Sequence, residues 1–420
     1  MRLPRPSPIL GPVTTRPTNW AGNLTFRARQ IHRPTSYAQL QSLVAAGTKV
    51  RALGSGHSFS DIADTPGDLV CTAGLPAEME IDAAAGTARV SASIRYTDLG
   101  PYLHGKGYGL RNLASLPHIS VAGSVATATH GSGDGNGNLA TAVSALTLVT
   151  ADGDLIDISG DALKGAVVAL GALGVVVGVT LDLVPAFEVS QYVYEGLPLD
   201  GHLDARLEEI WSAAYSASLF TSWRGPVIDQ VWLKHLGTAE PRDFGAALAD
   251  GPRHPVPGMP AGNCTEQGGR PGPWFERLPH FRPDFTPSSG EELQSEYFVP
   301  RRHALAALRV LDGLRDQIAP VLQVSEIRTV AADELWLSPC YRQDSVAFHF
   351  TWVKDTRQVM ALLPLIEEAL APFEVRPHWG KLFVASPAAR YERMNDFLEL
   401  ALSHDPTGKF GNDFLTRNLT

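Results

Sequence analysis

Apolar residues in the first 187 positions fall into short β-rich runs separated by glycine-rich turns. Thr48–Leu53 runs into Gly54-Ser55-Gly56, Thr87–Ser93 follows the turn at Gly86, and Ala145–Thr150 ends at Asp152-Gly153. Between them, Thr35–Ala46 and Tyr96–Lys106 carry apolar residues at helical spacing. Strands and helices mixed in this way predict an α+β fold. Gly165 to Leu181 is uncharged and mostly apolar. It is short for a membrane span and broken by Gly165, Gly171, Gly174 and Gly178, so it predicts a buried turn feeding a β-branched strand from Val175.

A second part begins near Phe187, after Leu183-Val184-Pro185. Residues 236–290 hold ten of the chain's 31 prolines. Trp274, Phe275, Phe281 and Phe285 speak against a disordered linker, because such linkers are poor in aromatics. The segment is expected to be a long ordered loop packed on the second domain. Leu305, Leu308, Leu311, Leu314 and Ile318 then mark one amphipathic helix that Pro320 stops. Leu322–Val330 and Val346–Val353 read as strands, and Met360–Leu370 as a helix. In the second strand Val346, Phe348, Phe350 and Trp352 share one face, and Ala347, His349, Thr351 and Val353 the other.

Composition narrows the function classes. The 420 residues include 35 Lys plus Arg and 44 Asp plus Glu, for a formal net charge of −9. An acidic chain without basic clusters is a poor nucleic-acid binder. Cys71, Cys264 and Cys340 are far apart and form no CxxC pair, so neither a disulfide framework nor a cysteine zinc site is expected. His118 and His130 fit no zinc spacing, so no metal is expected. Pro4, Pro6, Pro8, Pro12 and Pro17 suggest a flexible arm over 1–15 with no signal peptide, and hence a cytoplasmic protein.

Three constellations carry candidate chemistry. In Arg51-Ala52-Leu53-Gly54-Ser55-Gly56-His57-Ser58, a strand enters a turn with glycines on either side of a serine. Such a turn lets backbone N–H groups converge on an anion, although an ordinary tight turn reads the same way. From Asn112 to Gly133, small and hydroxylated residues dominate, which lets backbone lie against an extended ligand. In LQVSEIRTV, Glu326 and Arg328 point to one face of a strand, either as an exposed ion pair or as a buried clamp.

LGSGHSF followed by ASLPHISVAGSVATATHGSG resembles the flavin-binding domain of the vanillyl-alcohol oxidase superfamily. Gly171-Ala172-Leu173-Gly174-Val175-Val176 and Pro377-His378-Trp379-Gly380-Lys381 extend the resemblance into the branch of aldonolactone and alditol oxidases, over nearly the whole chain from Asn19. The resemblance implies a two-domain flavoprotein: an FAD-binding domain over 16–187, a substrate domain with an antiparallel sheet over 188–377, and a segment 378–420 returning to the FAD domain. Asp405-Pro406-Thr407-Gly408-Lys409-Phe410 resembles the family's closing motif.

The resemblance also implies roles. FAD contacts are expected from Ala52, Leu53, Gly54, Ser55, Gly56, His57, Ser58, Ser115, Ser120, Gly123, Thr127, Ala128, Thr129, His130, Val176 and His378. His57 matches the histidine that bonds covalently to the flavin in many members. Substrate contacts are expected from Ser115, Glu326, Arg328, Thr351 and Lys381, with Lys381 and Arg328 as the catalytic pair. The implied reaction is oxidation of the terminal primary alcohol of alditols such as xylitol and sorbitol, with oxygen reduced to hydrogen peroxide. The alternatives are a sugar-1,4-lactone oxidase or dehydrogenase, or a non-catalytic flavin-binding protein.

Overall fold

A computed structural model describes residues 17–200, 203–285 and 290–420; the arm expected over 1–15 lies outside the described residues. Three short strands, Gln30–His32, Asp68–Cys71 and Val50–Leu53, pair in parallel. Val50 and Val70 bury against Leu40 and Val44 of the helix Tyr37–Ala46. The Ser36 side chain accepts from the Gln39 amide and caps that helix, which therefore starts two residues later than its apolar spacing suggests.

A five-stranded antiparallel sheet follows, in the order Met79–Asp82, Thr87–Ser91, Val175–Asp182, Val143–Val149, Leu155–Ser159. The uncharged 165–181 stretch supplies its middle strand, with Val175, Val177, Val179 and Leu181 buried. On its other face Val176 and Thr180 are only part-buried and Asp182 is exposed, so burial alternates although the sequence there is almost wholly apolar. Among the described residues, no helix is long and apolar enough to cross a membrane.

The second half is built on a nine-stranded antiparallel sheet. Its middle runs Glu188–Pro198, Val227–Leu236, Ser216–Thr221, Leu322–Val330, Ser345–Val353, Glu292–Pro300. Val346, Phe348, Phe350 and Trp352 turn to one face and join a core with Leu308 and Leu311 of the helix Ala304–Gly313 and Val359, Leu363 and Ile366 of the helix Thr356–Leu370. The opposite face carries the polar members of the same strands toward the glycine-rich segments of the first half.

Two expectations are corrected. The helix expected through Leu305–Ile318 is broken: Ala304–Gly313 ends at Leu314, a second short helix spans Arg315–Ile318, and Pro320 sits in a following 3-10 turn. Gly313 has low helix propensity, and Pro320 bars an uninterrupted continuation. The Pro-rich loop does not pack on the second half alone. Trp274 is fully buried in the core of the first half with Leu99 and Leu103, and its indole N–H donates to the Tyr108 carbonyl at 3.3 Å. Phe187 stacks on it with ring centroids 6.1 Å apart.

The C-terminal segment packs back on the first strands. The Val50 N–H donates to the Lys409 carbonyl at 3.0 Å, and Lys409 Nζ donates to the Val44 carbonyl at 2.7 Å. Buried Arg51 donates to carbonyls of Leu170 at 2.7 Å, and of Gly171 and Phe410 at 2.9 Å each, and also to that of Ile62. One guanidinium thus joins the first parallel strands, the Gly171 turn and the C-terminal closing motif.

Replacing Trp274 by alanine should destabilise the protein by about 3–5 kcal/mol, as expected for a buried tryptophan cavity. A denaturation midpoint equal to that of the parent chain would show that the loop contributes no core.

Candidate active site

Alternation and register together build one wall of the site. Phe220, Glu326, His349 and Glu296 are cross-strand neighbours on four adjacent strands. Val324, Thr351 and Gln294 form the next row, and Ser218, Arg328, Ala347 and Phe298 the row on the other side. In antiparallel pairing, directly opposed residues share a face, as do residues two apart. The polar members of these rows therefore meet on the side away from the Phe348–Trp352 core.

The charges on this wall are buried and paired. Arg328 Nη2 donates to Glu296 Oε1 at 2.6 Å, Nη1 donates to Ser115 Oγ at 3.2 Å, and Nε lies 3.6 Å from Glu326 Oε1. Glu296 Oε1 also lies 3.0 Å from His130 Nε2 and 3.5 Å from His349 Nδ1. Burial would raise the pKa of both carboxyls, but the charges around them win. Arg328 and His280 hold Glu326 below its ordinary value, and His130 and Arg328 hold Glu296 well below it. Burial acts to lower the Arg328 pKa, yet the two carboxylates raise it. Breaking such a buried pair by removing one partner costs about 3–5 kcal/mol.

Lys381 enters from the turn after His378, its backbone N–H donating to the His378 carbonyl at 3.0 Å. Its ammonium donates to Gln294 Oε1 and lies 5.3 Å above the Phe59 ring. Burial lowers its pKa, Glu296 opposes that, and Arg328 lowers it further. Neither reading of the strand as an exposed ion pair nor of Lys381 as a solvated surface lysine fits these positions.

The facing wall comes from the glycine-rich segments. Gly54 follows the strand Val50–Leu53, and a Cβ there would meet Ser120 Oγ at 2.8 Å. A Cβ on Gly123 would meet the same oxygen at 2.9 Å. Both positions need glycine for close approach. The Ser120 N–H donates to Ser55 Oγ at 3.3 Å, which ties the two segments together. The His57 ring stacks on Trp20 with centroids 5.2 Å apart.

One cavity of about 360 Å³ runs between the two walls. It is lined by Ala52 through Ser58 and by Ser115, Ser120, Gly123, Thr127, Thr129, His130, Val176 and His378, together with Glu326, Arg328, Thr351 and Lys381. Among the residues expected at the site, Ala128 stands apart. It is buried with a φ of +55° and does not line the cavity; its left-handed backbone turns the chain and leaves its neighbours Thr127 and Thr129 on the wall. The sequence reading did not single out Glu296, Gln294, His349 or His280, all of which line the cavity. The signal was present in Glu292-Leu293-Gln294-Ser295-Glu296, where polar residues alternate with smaller or apolar ones.

Comparison with known proteins agrees with this geometry. An FAD-binding domain family matches residues 28–159, and a D-arabinono-1,4-lactone oxidase family matches residues 291–418. An alditol oxidase from Streptomyces sp. is 54% identical, covering 96% of this chain and 99% of the relative. The chain belongs to the alditol oxidase family. An L-gulono-1,4-lactone dehydrogenase from Mycobacterium tuberculosis is 30% identical over 96% of this chain and 98% of its own. A solved cholesterol oxidase from Brevibacterium sterolicum superposes with a TM-score of 0.77 at 14% identity, covering 100% of both chains, and shows a shared fold.

The enzyme is thus an FAD-dependent oxidoreductase of two-domain α+β architecture. The cradle fits FAD on its own evidence. Ser120 Oγ and His57 Nδ1 are buried without a hydrogen-bond partner among the described residues, which buried polar atoms rarely are unless a ligand completes them. Burial, with Arg95 and His118, pulls His57 down to about 3, so its ring is neutral at physiological pH.

Burial also pulls His280 down to about 4 and His378 well below the ordinary 6.5. Each gains a proton on unfolding when the pH lies between its folded value and about 6.5. Their contribution to stability is present above about 6.5 and is lost as the pH falls toward the folded values. Glu296 and Glu326, held ionised in the fold, add to the loss below about 4.5. The thermal midpoint of the holoenzyme, followed by flavin fluorescence, should therefore fall steadily from pH 7 to pH 4. A flat profile would contradict this assignment.

Proposed function

We propose that this enzyme oxidises the terminal primary alcohol of alditols such as xylitol and sorbitol to the aldose, with molecular oxygen reduced to hydrogen peroxide. The observation that carries the reading is the set of polar groups converging on one cavity: Glu326, Arg328, Thr351 and Lys381 from one wall and Ser115 from the other. An open-chain polyol bears a hydroxyl on every carbon, and each one buried without a partner costs about 1–3 kcal/mol. Five polar side chains, four on one wall and Ser115 on the other, answer that demand. The relationship to the Streptomyces alditol oxidase supports the same substrate class.

Bound FAD would supply the two-electron redox chemistry, as acceptor of the hydride from the alcohol carbon and donor of the same electrons to oxygen. The protein binds, orients and polarises. Arg328 and Lys381 stabilise negative charge on the reacting oxygen as its hydroxyl loses a proton. The lowered pKa of Lys381 suits it to exchange that proton. Glu296, on the same wall, holds Arg328 in place. Ser115, Glu326 and Thr351 take the hydroxyls farther along the chain. His378 packs against the flavin, and the segments 52–58 and 115–130 with Val176 hold the rest of the cofactor. The neutral, unpartnered Nδ1 of His57 is suited to a covalent bond to the flavin. In this reading 16–187 and 378–420 form the FAD unit, and 188–377 the substrate unit.

A sugar-1,4-lactone is the second reading, favoured by the lactone oxidase family match over 291–418. Anaerobic visible spectra separate the two: xylitol should bleach the flavin, whereas bleaching by L-gulono-1,4-lactone and not by xylitol would reverse the assignment. Lys381→Met should lower kcat on the order of 10²–10³-fold while flavin absorbance is retained. Unchanged turnover would remove Lys381 from the chemistry. Acid precipitation should leave flavin with the wild-type pellet and release it from His57→Ala; release from both would end the covalent assignment.

A further inference from the structure

Beside the substrate wall, on the same face of the sheet, two buried polar side chains that the reaction above does not use lead up to Glu326. Lys234, on the strand Val227–Leu236, is 1% exposed. Its Nζ donates to the carbonyls of Leu278 and Pro279, the latter at 3.1 Å, and lies 3.1 Å from His280 Nδ1. His280 Nε2 lies 2.7 Å from Glu326 Oε1. The same residue's backbone N–H donates to the Ser115 carbonyl at 3.1 Å. Its ring is wedged edge-on between Phe220 and Trp232, with centroids 5.5 and 5.2 Å away.

The tautomer follows from the partners. Glu326 is ionised, so a nitrogen 2.7 Å from its oxygen must carry a hydrogen. The ring is neutral because burial and Lys234 keep it so. Its other nitrogen, Nδ1, is then bare and accepts from Lys234. Burial lowers Lys234 to about 7 against the pull of Glu326; its ammonium form has three hydrogens for three acceptors, two carbonyls and this nitrogen. Among the described residues, the hydrogen bond of the Glu326 carboxylate runs through Oε1, which leaves Oε2 for a hydroxyl in the cavity.

We propose that His280 is a positioning residue: its ring, held in one tautomer between Glu326 and Lys234, fixes Glu326, and its backbone N–H holds the Ser115 carbonyl, so that the two form a single clamp for substrate hydroxyls beyond the reacting carbon. It acts through Glu326 and Ser115. Losing the ring frees Glu326 on that side, while Arg328, 3.6 Å from Glu326 through Nε, keeps its shorter bonds to Glu296 and Ser115, and Lys381 its bond to Gln294. The defect is therefore one of recognising the far part of the substrate. The proposal rests on the alditol reading of the cavity.

The test compares xylitol with 1,2-propanediol, which lacks the distal hydroxyls. In His280→Leu the KM for xylitol should rise on the order of tenfold, with kcat and the KM for 1,2-propanediol little changed. His280→Gln, whose amide nitrogen donates to Glu326, should restore most of the loss. Flavin absorbance and circular dichroism monitor folding of both variants. An unchanged xylitol KM in His280→Leu overturns the proposal, as does an equal loss of kcat on both substrates that glutamine does not rescue. A second readout needs no substrate. The ¹⁵N spectrum of His280 in the holoenzyme should show a neutral ring protonated at Nε2, and Lys234→Met, which takes away the cation that disfavours a second proton at Nδ1, should raise the pH at which the ring becomes doubly protonated. A wild-type ring protonated at Nδ1 overturns the proposal. A wild-type enzyme that leaves xylitol unoxidised defeats the alditol reading, and the ¹⁵N result then decides the positioning role by itself.

Discussion

The site depends on how one guanidinium is kept charged in a buried wall. Arg328 lies between Glu296 and Glu326, with a donor left for Ser115 on the facing segment. Arginine suits this because its planar fork serves several acceptors at once and stays protonated. Taken singly, each of these charges would be costly to bury; together they neutralise one another. The arrangement also fixes geometry, because a guanidinium held between two carboxylates cannot follow the substrate. Whatever binds in front meets a preset positive charge, and such preorganisation is a major source of rate enhancement.

The same wall shows why the cavity is composite. Strands that neighbour one another in the sheet come from distant parts of the chain, so Glu296, Glu326 and His349 meet across register and not across sequence. The second wall is assembled from the 54–58 turn and the 115–130 segment, joined through Ser55 and Ser120. The Pro-rich loop binds the walls together. It buries Trp274 in the first half, passes His280 beneath Ser115, and reaches Glu326 in the sheet. Its prolines lower the entropy lost when so long a segment is ordered.

Much of this was legible in the sequence. Strict alternation in Val346–Val353 places four apolar residues on the core face and His349 with Thr351 on the cavity face. Gly54 and Gly123 mark backbone approach that a Cβ would block. The split of the helix after Gly313 was less legible, because the apolar spacing continues through the break. Glu296 was passed over although its strand alternates, since a glutamate next to a tyrosine has nothing local to mark it as buried.

The sequence by itself determined which residues face which way on each strand, where glycine was indispensable and, through its motifs, the flavoprotein family. These are local properties set by side-chain period and backbone sterics. The tertiary structure alone decided which charges pair. Whether Glu326 with Arg328 is a solvated pair or a buried clamp depends on what covers the sheet, and Glu296, Ser115 and His280 reach them from 30, 210 and 46 residues away or more only through register and loop packing. Electrostatic meaning is a property of the surroundings, and those surroundings exist only once the two walls have closed.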